Sequence, residues 1–489
     1  MHCPKLTRKL IFSISIILTL FTFAGSACYS LEEKDPRLTP TATGAASVNK
    51  TGESVPASAT PTLIAEVMGA KIADLEGVEL VLWHAWDGKQ ASEGFQAVVD
   101  EFNAQNDWDI KVNVVGHENY LALEDAMEAA VQSNDLPNVV VGYANTFISW
   151  YGAEVIADLT PYLENEMVGL SDQAQADFFP EALQNVRMAD GTMVGVPLQQ
   201  TAMVLFYNRT WAQELGFESA PSHSQALKEQ ACAAAKSGHG NDEPSHGSTG
   251  GLALDPSPSH AMAWIFAYGG DVFDEEKGEY DFTTQPVVDA ADFWKTLWEE
   301  ECAFEMEGYL YPETVPENVF SSRRALFAVG STSILVEQPE MFAGNNPEMD
   351  KWAAMPFLGE DGNGAVNTYI TSMAVIDSTP AKKLASWLFV KDMLYPEKQA
   401  DWVMYSDTYP VRRRAVSKLE RYQAENPAWV LGWELLEVGK TEPTAPSWRI
   451  VRWAVGDAFA GILQSTSGDV QDILEDLNDL SEELAGLEN

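Results

Sequence analysis

Short apolar strands alternate with amphipathic helices from residue 78 onward. Residues 78–84, 110–115 and 139–141 have the composition of strands. Between them, apolar residues recur at helical spacing in residues 95–103 and 121–132. The residues of the second helix that are expected to face inward are Leu121, Leu123, Ala126 and Val131. Strands that alternate with helices through short connections predict an α/β domain with a mainly parallel sheet.

The loops at the carboxyl ends of these strands are where such a sheet binds ligands. The aromatic and polar residues at those ends are Trp83, His84, Trp86, Asp87, Tyr143 and Asn145. Trp86 and Asp87 are expected to face a ligand. Trp83 is equally well explained as a core residue, and a lone histidine such as His84 is more often a structural group.

The first 27 residues have the layout of an export signal. Lys5, Arg8 and Lys9 precede an apolar run over residues 10–24, and small residues then precede Cys28. An uncut signal anchor is the alternative, since the apolar segment is just long enough to span a membrane. Both interpretations place the rest of the chain outside the cytoplasm. Because the small residues resemble a bacterial lipobox, Cys28 is the predicted lipidation site, although Gly25 stands where that motif usually has leucine.

Residues 28–77 are rich in Thr, Ala, Ser and Pro and contain almost no aromatic residues. Such a segment cannot bury enough apolar area to offset the entropy of ordering. The sequence therefore predicts a disordered tether over these residues.

The remaining chain carries enough apolar material for packed cores. The 489 residues have a formal net charge of −43, yet 46% of them are hydrophobic. Global disorder is therefore excluded, and the length predicts two or three domains. An acidic chain is also a poor partner for nucleic acid, because phosphate binding needs concentrated Lys and Arg.

Several short motifs occur in a specific order along residues 78–485. They are LWHAW (82–86), LPNVVV (136–141), GVPLQQ (195–200), LFYNR (205–209), AYGG (267–270), FSSRRALF (320–327) and YPVR (409–412). Together they resemble the motifs of extracellular solute-binding proteins, in particular the sugar-binding family that includes maltose-binding protein of an ABC importer. The chain departs from the family at Arg323, where the motif usually has glycine, and at residues 220–224, where P-x-T-W is usual.

The resemblance implies a two-lobed periplasmic-binding-protein fold of type II. Each lobe would be a mixed or parallel sheet flanked by helices, and hinge strands would join the lobes. Lobe 1 would hold residues 78–196 and 357–410, and lobe 2 residues 197–356 and 411–489. Closure around a ligand in the cleft would create the form that the permease recognises. The resemblance implies no enzymatic activity, no cofactor and no metal ion.

Further candidate ligand contacts follow from the family's cleft positions. Of Gln199 and Gln200, one amide is expected to contact the ligand and the other to be structural. Ser331 follows a predicted strand over residues 325–329, where a plain turn is an equal alternative. Tyr369 and Trp448 are aromatic candidates, because aromatic faces pack against the C–H surfaces of sugars.

Two cysteines within one lobe of an exported protein suggest a disulfide. The pair is Cys232 and Cys302, and two buried free thiols are the alternative.

Other chemical signals are weak. His239 and His246 lie in a Gly/Ser-rich loop that does not predict the fixed ligands of a zinc site. Residues 360–364 resemble part of a calcium loop but are more simply a turn. A glycosidase needs two carboxylates at a defined separation, and no pair stands out. Residues 469–488 predict a closing amphipathic helix. Its inward residues would be Val470, Ile473, Leu474, Leu477, Leu480 and Leu484.

The sequence thus predicts a monomeric receptor, lipid-anchored at the outer face of the cytoplasmic membrane, that delivers a carbohydrate to an ABC permease. A receptor for a polyol or phosphorylated polyol is the alternative within this class. A cell-surface glycoside hydrolase or a carbohydrate-adhesion module is the alternative from another class.

Overall fold

A computed structural model of the chain describes residues 66–86, 89–238, 250–305, 323–337, 339–343, 350–464 and 470–487. Several predictions concern residues outside these ranges. They are the export signal, Cys28, most of the tether, Asp87, His239 and His246.

Two long strands stand out among mostly short ones. The strands are β1 (Glu66–Val67), β2 (Ala70–Lys71), β3 (Glu79–His84), β4 (Lys111–Gly116), β5 (Val139–Gly142), β6 (Val196–Asn208), β7 (Gly250–Leu254), β8 (Phe273–Asp274), β9 (Glu279–Tyr280), β10 (Ala303–Glu305), β11 (Ala325–Ser331), β12 (Trp352–Met355), β13 (Phe357–Leu358), β14 (Gly364–Val375), β15 (Tyr409–Pro410) and β16 (Gly439–Lys440). The long strands are β6, with 13 residues, and β14, with 12.

Helices cover the sheet and supply most of the remaining structure. They are α1 (Lys89–Gln105), α2 (Tyr120–Ser133), α3 (Ala144–Gly152), α4 (Thr160–Leu163), α5 (Asp172–Gln175), α6 (Pro180–Asn185), α7 (Arg209–Glu214), α8 (Ser224–Gly238), α9 (Pro258–Ala267), α10 (Gln285–Glu299), α11 (Ile334–Glu337), α12 (Pro339–Ala343), α13 (Pro380–Met393), α14 (Pro396–Ser406), α15 (Arg413–Val416), α16 (Glu420–Glu425), α17 (Pro427–Leu435), α18 (Trp448–Gln464) and α19 (Val470–Leu487).

Twelve of the strands form one mixed sheet. Its main order is β10-β7-β11-β6-β14-β5-β3-β4, and β12, β13, β15 and β16 pair with the two long strands. β3 is parallel to β4 and β5, and β7 is parallel to β10 and β11. β6 and β14 lie antiparallel to each other between these two sets. Parallel pairing therefore holds within each half of the sheet, and the joining strands make the whole sheet mixed.

Each long strand begins in one half of the sheet and ends in the other. β6 pairs with β15 near its start and with β11 and β12 near its end. β14 pairs with β13 and β16 near its start and with β5 near its end. The chain thus passes between the halves in opposite directions along two adjacent strands, as hinge strands do.

The predicted strands and helices of the first half are confirmed, apart from one face of α2. The buried side chains of α2 are Leu123, Met127 and Ala130. Leu121 and Val131, which were expected inside, are 61% and 42% exposed. Leu121 lies two positions before Leu123, the first buried residue of α2. In a helix with 3.6 residues per turn, residues two apart point to nearly opposite sides.

The prediction of a disordered tether is wrong for residues 66–77. These residues form the β1–β2 pair and a turn of 3₁₀ helix over Ile72–Leu75. Val67, Ala70 and Leu75 are almost fully buried. Three apolar side chains are enough here because they pack on an existing surface that includes α13, so the segment needs no core of its own.

The second half has a core of large aromatic residues. Trp264, Trp294 and Trp448 are buried in one hydrophobic cluster. Phe357 and Leu358 belong to the same cluster. The residues just after position 356, which were expected in lobe 1, therefore pack with the second half.

The closing helix α19 covers part of this cluster. Its buried side chains include Val470, Leu474 and Leu477, as expected. Leu480 is 42% exposed, so its predicted inward position is wrong. The adjoining Ser481 is fully buried instead.

Cys232 and Cys302 form a disulfide, which confirms the predicted pair. Cys232 lies on α8, and Cys302 comes directly before β10. The bond therefore joins a helix to the edge strand of the second half.

A buried ion pair secures the chain after β15. The Arg412 side chain, 2% exposed, donates from Nε to Oδ2 of Asp177 at 2.9 Å. It also donates to the carbonyl oxygens of Leu394 and Ala174. Burial lowers the pKa of Arg412, while Asp177 opposes that shift. Removing one partner of such a pair would leave a buried charge without compensation.

Candidate ligand-binding cleft

A row of polar side chains along β14 lies where the two halves of the sheet meet. Successive side chains of a strand point to opposite faces, so Asn367, Tyr369 and Thr371 share one face. The register places Ser372 opposite Gly142, the last residue of β5. The row therefore ends beside the carboxyl end of a parallel strand, which is where such sheets bind ligands.

Aromatic side chains of the first half stand against this row. The hydroxyl of Tyr120 lies 3.3 Å from Oγ1 of Thr371. The ring centroids of Tyr120 and Tyr143 are 4.6 Å apart, and those of Tyr143 and Tyr369 are 6.1 Å apart. Burial raises the pKa of Tyr120 to about 12, so its hydroxyl stays protonated and can donate at neutral pH.

Helix α18 forms the opposite wall. Trp448 and Arg452 are four positions apart and therefore share one side of this helix. The indole Nε1 of Trp448 donates to Oε2 of Glu442 at 2.8 Å, and Nε of Arg452 donates to the same oxygen at 3.1 Å. Nη2 of Arg452 also donates to Oγ of Ser259 at 3.2 Å.

Glu442, in the segment between β16 and α18, connects this wall to β14. Its Oε1 accepts hydrogen bonds from the Tyr369 hydroxyl at 2.5 Å and from Nδ2 of Asn367 at 2.9 Å. Burial alone would raise the pKa of Glu442. The charge of Arg452 and hydrogen bonds from Arg452, Tyr369 and Asn367 outweigh burial and lower that pKa. The carboxylate is therefore ionised at neutral pH.

A second set of charges faces across from α2 to α18. Oε1 of Glu128 lies 3.7 Å from Nη1 of Arg449. Glu124 accepts a hydrogen bond from Oγ1 of Thr146 at 2.9 Å. Burial raises the pKa of Glu124, while this bond and the charges of Arg449 and Arg452 oppose the shift. Carboxylates of the first half thus face guanidinium groups of the second.

Four residues predicted from the sequence lie around this space. Tyr143 and Tyr369 pack edge to face, and Trp448, whose side chain is 1% exposed, donates from its indole nitrogen to Glu442. Trp86 packs against Phe95 and Trp402, with ring centroids 4.7 and 4.6 Å apart. Their contact with a ligand stays a prediction.

Trp83 and His84 support this wall from the end of β3. Trp83 packs against His117, with ring centroids 4.8 Å apart. His84 is 2% exposed, and its Nδ1 accepts a hydrogen bond from the backbone N–H of Trp86 at 3.1 Å. Burial and the neighbouring His117 lower the pKa of His84 to about 4. His84 is therefore neutral and fixes the backbone of Trp86.

The two glutamines on β6 are bonded to the hinge region. Nε2 of Gln200 donates to the carbonyl of Pro410 at 3.0 Å. Oε1 of Gln199 accepts from Nε1 of Trp402 at 2.6 Å. Both amides thus have protein partners, as buried amides need.

The remaining two candidates are partly buried. Asn145 lies in the first turn of α3, two positions after Tyr143. Ser331 is the last residue of β11, and its Oγ accepts a hydrogen bond from the backbone N–H of Ser333 at 3.3 Å. A ligand role for either residue stays a prediction.

Sequence reasoning missed Tyr120, Glu442 and Arg452. The spacing of Trp448 and Arg452 was a usable signal, because residues four apart on a helix share a side. Tyr120 begins the helix after β4, at a strand end like those already singled out. Glu442 gave no linear signal, since only the fold brings its loop to β14.

Two other clusters do not form reactive sites. Ser257 Oγ and Asp255 Oδ2 both lie within 2.9 Å of the same nitrogen, Nδ1 of His260. A nucleophile relay needs the two ring nitrogens to have separate partners. Cys232, Cys302 and Glu300 lie together like metal ligands, but the two sulfurs are bonded to each other.

The segment that resembles part of a calcium loop is a turn. Residues 360–363 connect β13 to β14, with Gly362 at φ 80°.

The model of a family described as bacterial extracellular solute-binding protein matches residues 97–428. The chain belongs to this family. No curated protein matches its sequence.

Solved structures of the same fold include sugar-binding proteins. One is the cyclic alpha-maltosyl-1,6-maltose binding protein from Arthrobacter globiformis, with a TM-score of 0.68 and 18% identity over 83% of this chain and 99% of that one. Another is the sugar-binding protein MalE from Xanthomonas citri, at 0.67 and 18% over 84% and 98%. UgpB from Mycobacterium tuberculosis, solved with glycerophosphocholine, reaches 0.66 and 16% over 84% and 98%. These likenesses confirm the predicted two-lobed α/β fold.

Among the helices of the described residues, none combines the length and apolar character that crossing a membrane requires.

Proposed function

We propose that this chain is a substrate-binding receptor that captures a carbohydrate between its lobes and delivers it to an ABC import permease. The observation that carries the proposal is the cluster of aromatic and polar side chains where the two halves of the sheet meet. Tyr143 of the first half contacts Tyr369 on β14, and the Tyr369 hydroxyl donates to Glu442. Sugars bind against aromatic faces while planar polar groups fix their hydroxyls.

The ligands bound in similar solved structures support a carbohydrate. The GacH receptor of Streptomyces glaucescens was solved with acarbose, and the ABC substrate-binding protein Lmo0181 of Listeria monocytogenes with cycloalternan. The second of these is an ABC substrate-binding protein, which also supports a permease partner. We carry both features to this chain as part of the proposal.

The hinge strands supply a mechanism for capture. β6 and β14 join the two halves, and the cleft walls lie on either side of them. A ligand that contacts both walls would stabilise the closed form in proportion to its extra contacts there. We place the second crossover within β14, because Phe357 and Leu358 pack with the second lobe.

A receptor fits this cleft better than a glycoside hydrolase. Hydrolysis needs one carboxyl group that can donate a proton and a second carboxylate at a set distance. Glu442 has a lowered pKa and accepts hydrogen bonds from four side chains, so it is a poor proton donor. Burial raises the pKa of Glu124, but the charges of Arg449 and Arg452 oppose that shift and favour the ionised form. Glu442 holds other side chains in place instead.

Ligand titration separates the receptor from the enzyme. Wild-type protein is mixed with malto-oligosaccharides and with cyclic glucans, while tryptophan fluorescence and thermal unfolding are followed. We expect a saturable fluorescence change and a higher melting temperature, since a ligand that binds the folded state stabilises it. The sugars should be recovered intact. Cleaved sugar, or no response to any carbohydrate, would contradict the proposal.

Anchoring through Cys28 is the membrane-facing part of the proposal. It rests on the basic and apolar residues that precede Cys28 in the sequence. In cells fed a labelled fatty acid, wild-type protein should carry label and the Cys28→Ser variant none. Gel filtration of the protein without its first 28 residues should show a monomer.

A further inference from the structure

Arg452 is the guanidinium group that lies beside Tyr369 and Trp448, and two of its three side-chain nitrogens are engaged by groups of the chain. Nε and Nη2 both face Glu442, at 3.1 and 3.4 Å, and Nη2 also reaches Ser259 at 3.2 Å. Arg452 is the kind of residue that binds phosphate or carboxylate ligands through paired N–H groups. Here a carboxylate of the chain itself takes that place.

The other charges of the cleft do not restore a positive field. Glu124 and Glu128 on α2 face Arg449 and Arg452 on α18. Together with Glu442 this makes three carboxyl groups against two guanidinium groups. An anion entering beside Arg452 would meet the ionised Glu442 within a few ångströms, where like charges repel strongly in a partly buried site.

The stability of the fold alone does not explain why Glu442 and Arg452 form a buried ion pair. Buried ion pairs often contribute little, because desolvation offsets their attraction. Glu442 nevertheless binds four side chains at once and fixes Tyr369 and Trp448 beside Arg452. The position of Glu442 therefore affects which ligands can bind beside Arg452.

We propose that Glu442 sets the charge selectivity of the cleft, which takes uncharged polyhydroxyl ligands and rejects phosphorylated ones because Glu442 occupies Arg452. The proposal rests on the receptor function and narrows its ligand class. It also excludes the phosphorylated polyol that the sequence left open.

The test measures anion binding to full-length protein at low ionic strength. Glycerol 3-phosphate and inorganic phosphate are titrated by calorimetry into wild type, Glu442→Gln, Glu442→Asp and the double variant Glu442→Gln/Arg452→Gln. We expect Glu442→Gln to bind glycerol 3-phosphate at least tenfold more tightly than wild type. Glu442→Asp keeps the charge and should resemble wild type. The double variant should lose the gain, because the guanidinium is gone.

Two results would overturn the proposal. One is a folded Glu442→Gln protein with no gain in anion affinity. The other is tight binding of glycerol 3-phosphate to wild type, which needs no variant and decides the matter even if Glu442→Gln fails to fold. Glu442→Ala then repeats the comparison. Neutral oligosaccharides are titrated separately, so failure of the receptor function shows there and not in the anion series.

Discussion

Tyr409 and Gly432 meet at the closest packing of the hinge region. Tyr409 is fully buried, and its hydroxyl donates to the carbonyl of Trp429 at 3.3 Å. A Cβ atom on Gly432 would lie 2.0 Å from that hydroxyl oxygen and 2.8 Å from Cδ1 of Leu335. Neither neighbour can move freely, since both side chains are buried. The absence of a side chain at position 432 therefore lets α17 approach β15.

The Gly432→Ala variant should be destabilised. We expect a loss of about 1–3 kcal/mol in the free energy of unfolding, because overpacking forces neighbouring side chains to shift. Urea denaturation measures it. Gly461→Ala is the matched control, since Gly461 is also helical but has no atom near the added Cβ. That variant should be as stable as wild type or more stable by up to about 1 kcal/mol. Equal stability of both variants would contradict this account.

Among the elements, α8 and β10 are joined covalently as well as by packing. Cys232 and Cys302 are 70 positions apart, so their bond closes a long loop. Such a bond stabilises the fold by restricting the unfolded chain. The effect belongs to the second half, because both cysteines pack in its core.

Loss of this bond should lower the stability of the second half. In the chain-entropy model we expect a cost of about 4 kcal/mol. Denaturation of wild type with and without reductant measures it, and the Cys232→Ser/Cys302→Ser variant should match reduced wild type. An unchanged midpoint in reductant would mean that the bond contributes nothing.

The elements also show what the sequence could predict. The strand–helix alternation of the first half could be predicted, because the spacing of apolar residues within each segment indicates its secondary structure. The exposed Leu121 and the ordered residues 66–77 could not, since both depend on which surface lies nearby. Glu442 shows the same limit within the cleft: its partners on β14 and α18 are brought to it only by the fold.

At the scale of the whole molecule, the net charge of −43 leaves few cations to compensate buried carboxylates. Asp392 on α13 is one of these carboxylates. Burial raises its pKa to about 6, and Glu101 adds to the shift while Lys398 opposes it. The folded protein therefore holds a proton on Asp392 at a pH where the unfolded chain has lost it.

This difference gives the molecule a pH dependence of defined sign. The stabilising contribution of protonated Asp392 is present below pH 4 and is lost as the pH rises through about 6. The free energy of unfolding of Asp392→Asn, taken relative to that of wild type, should therefore rise by about 2 kcal/mol from pH 4.5 to pH 7.5. Urea denaturation at both pH values measures the gain. Asp476→Asn, on the exposed side of α19, is the control and should show no such trend. A pH-independent difference for Asp392→Asn would contradict the assignment.

The pairing of β5 with β14 fixes the order in which the molecule can form. Val139 pairs with Val375, so β5 lacks its partner β14 until most of the chain has been synthesised. Contacts this distant in sequence slow folding, because the entropy cost of closing the loop comes before the stabilisation that strand pairing provides. The pairing of β5 is therefore completed only after residue 375 has been added, late in synthesis. The second strand that joins the two lobes is thus also the last strand of the main sheet order to be made.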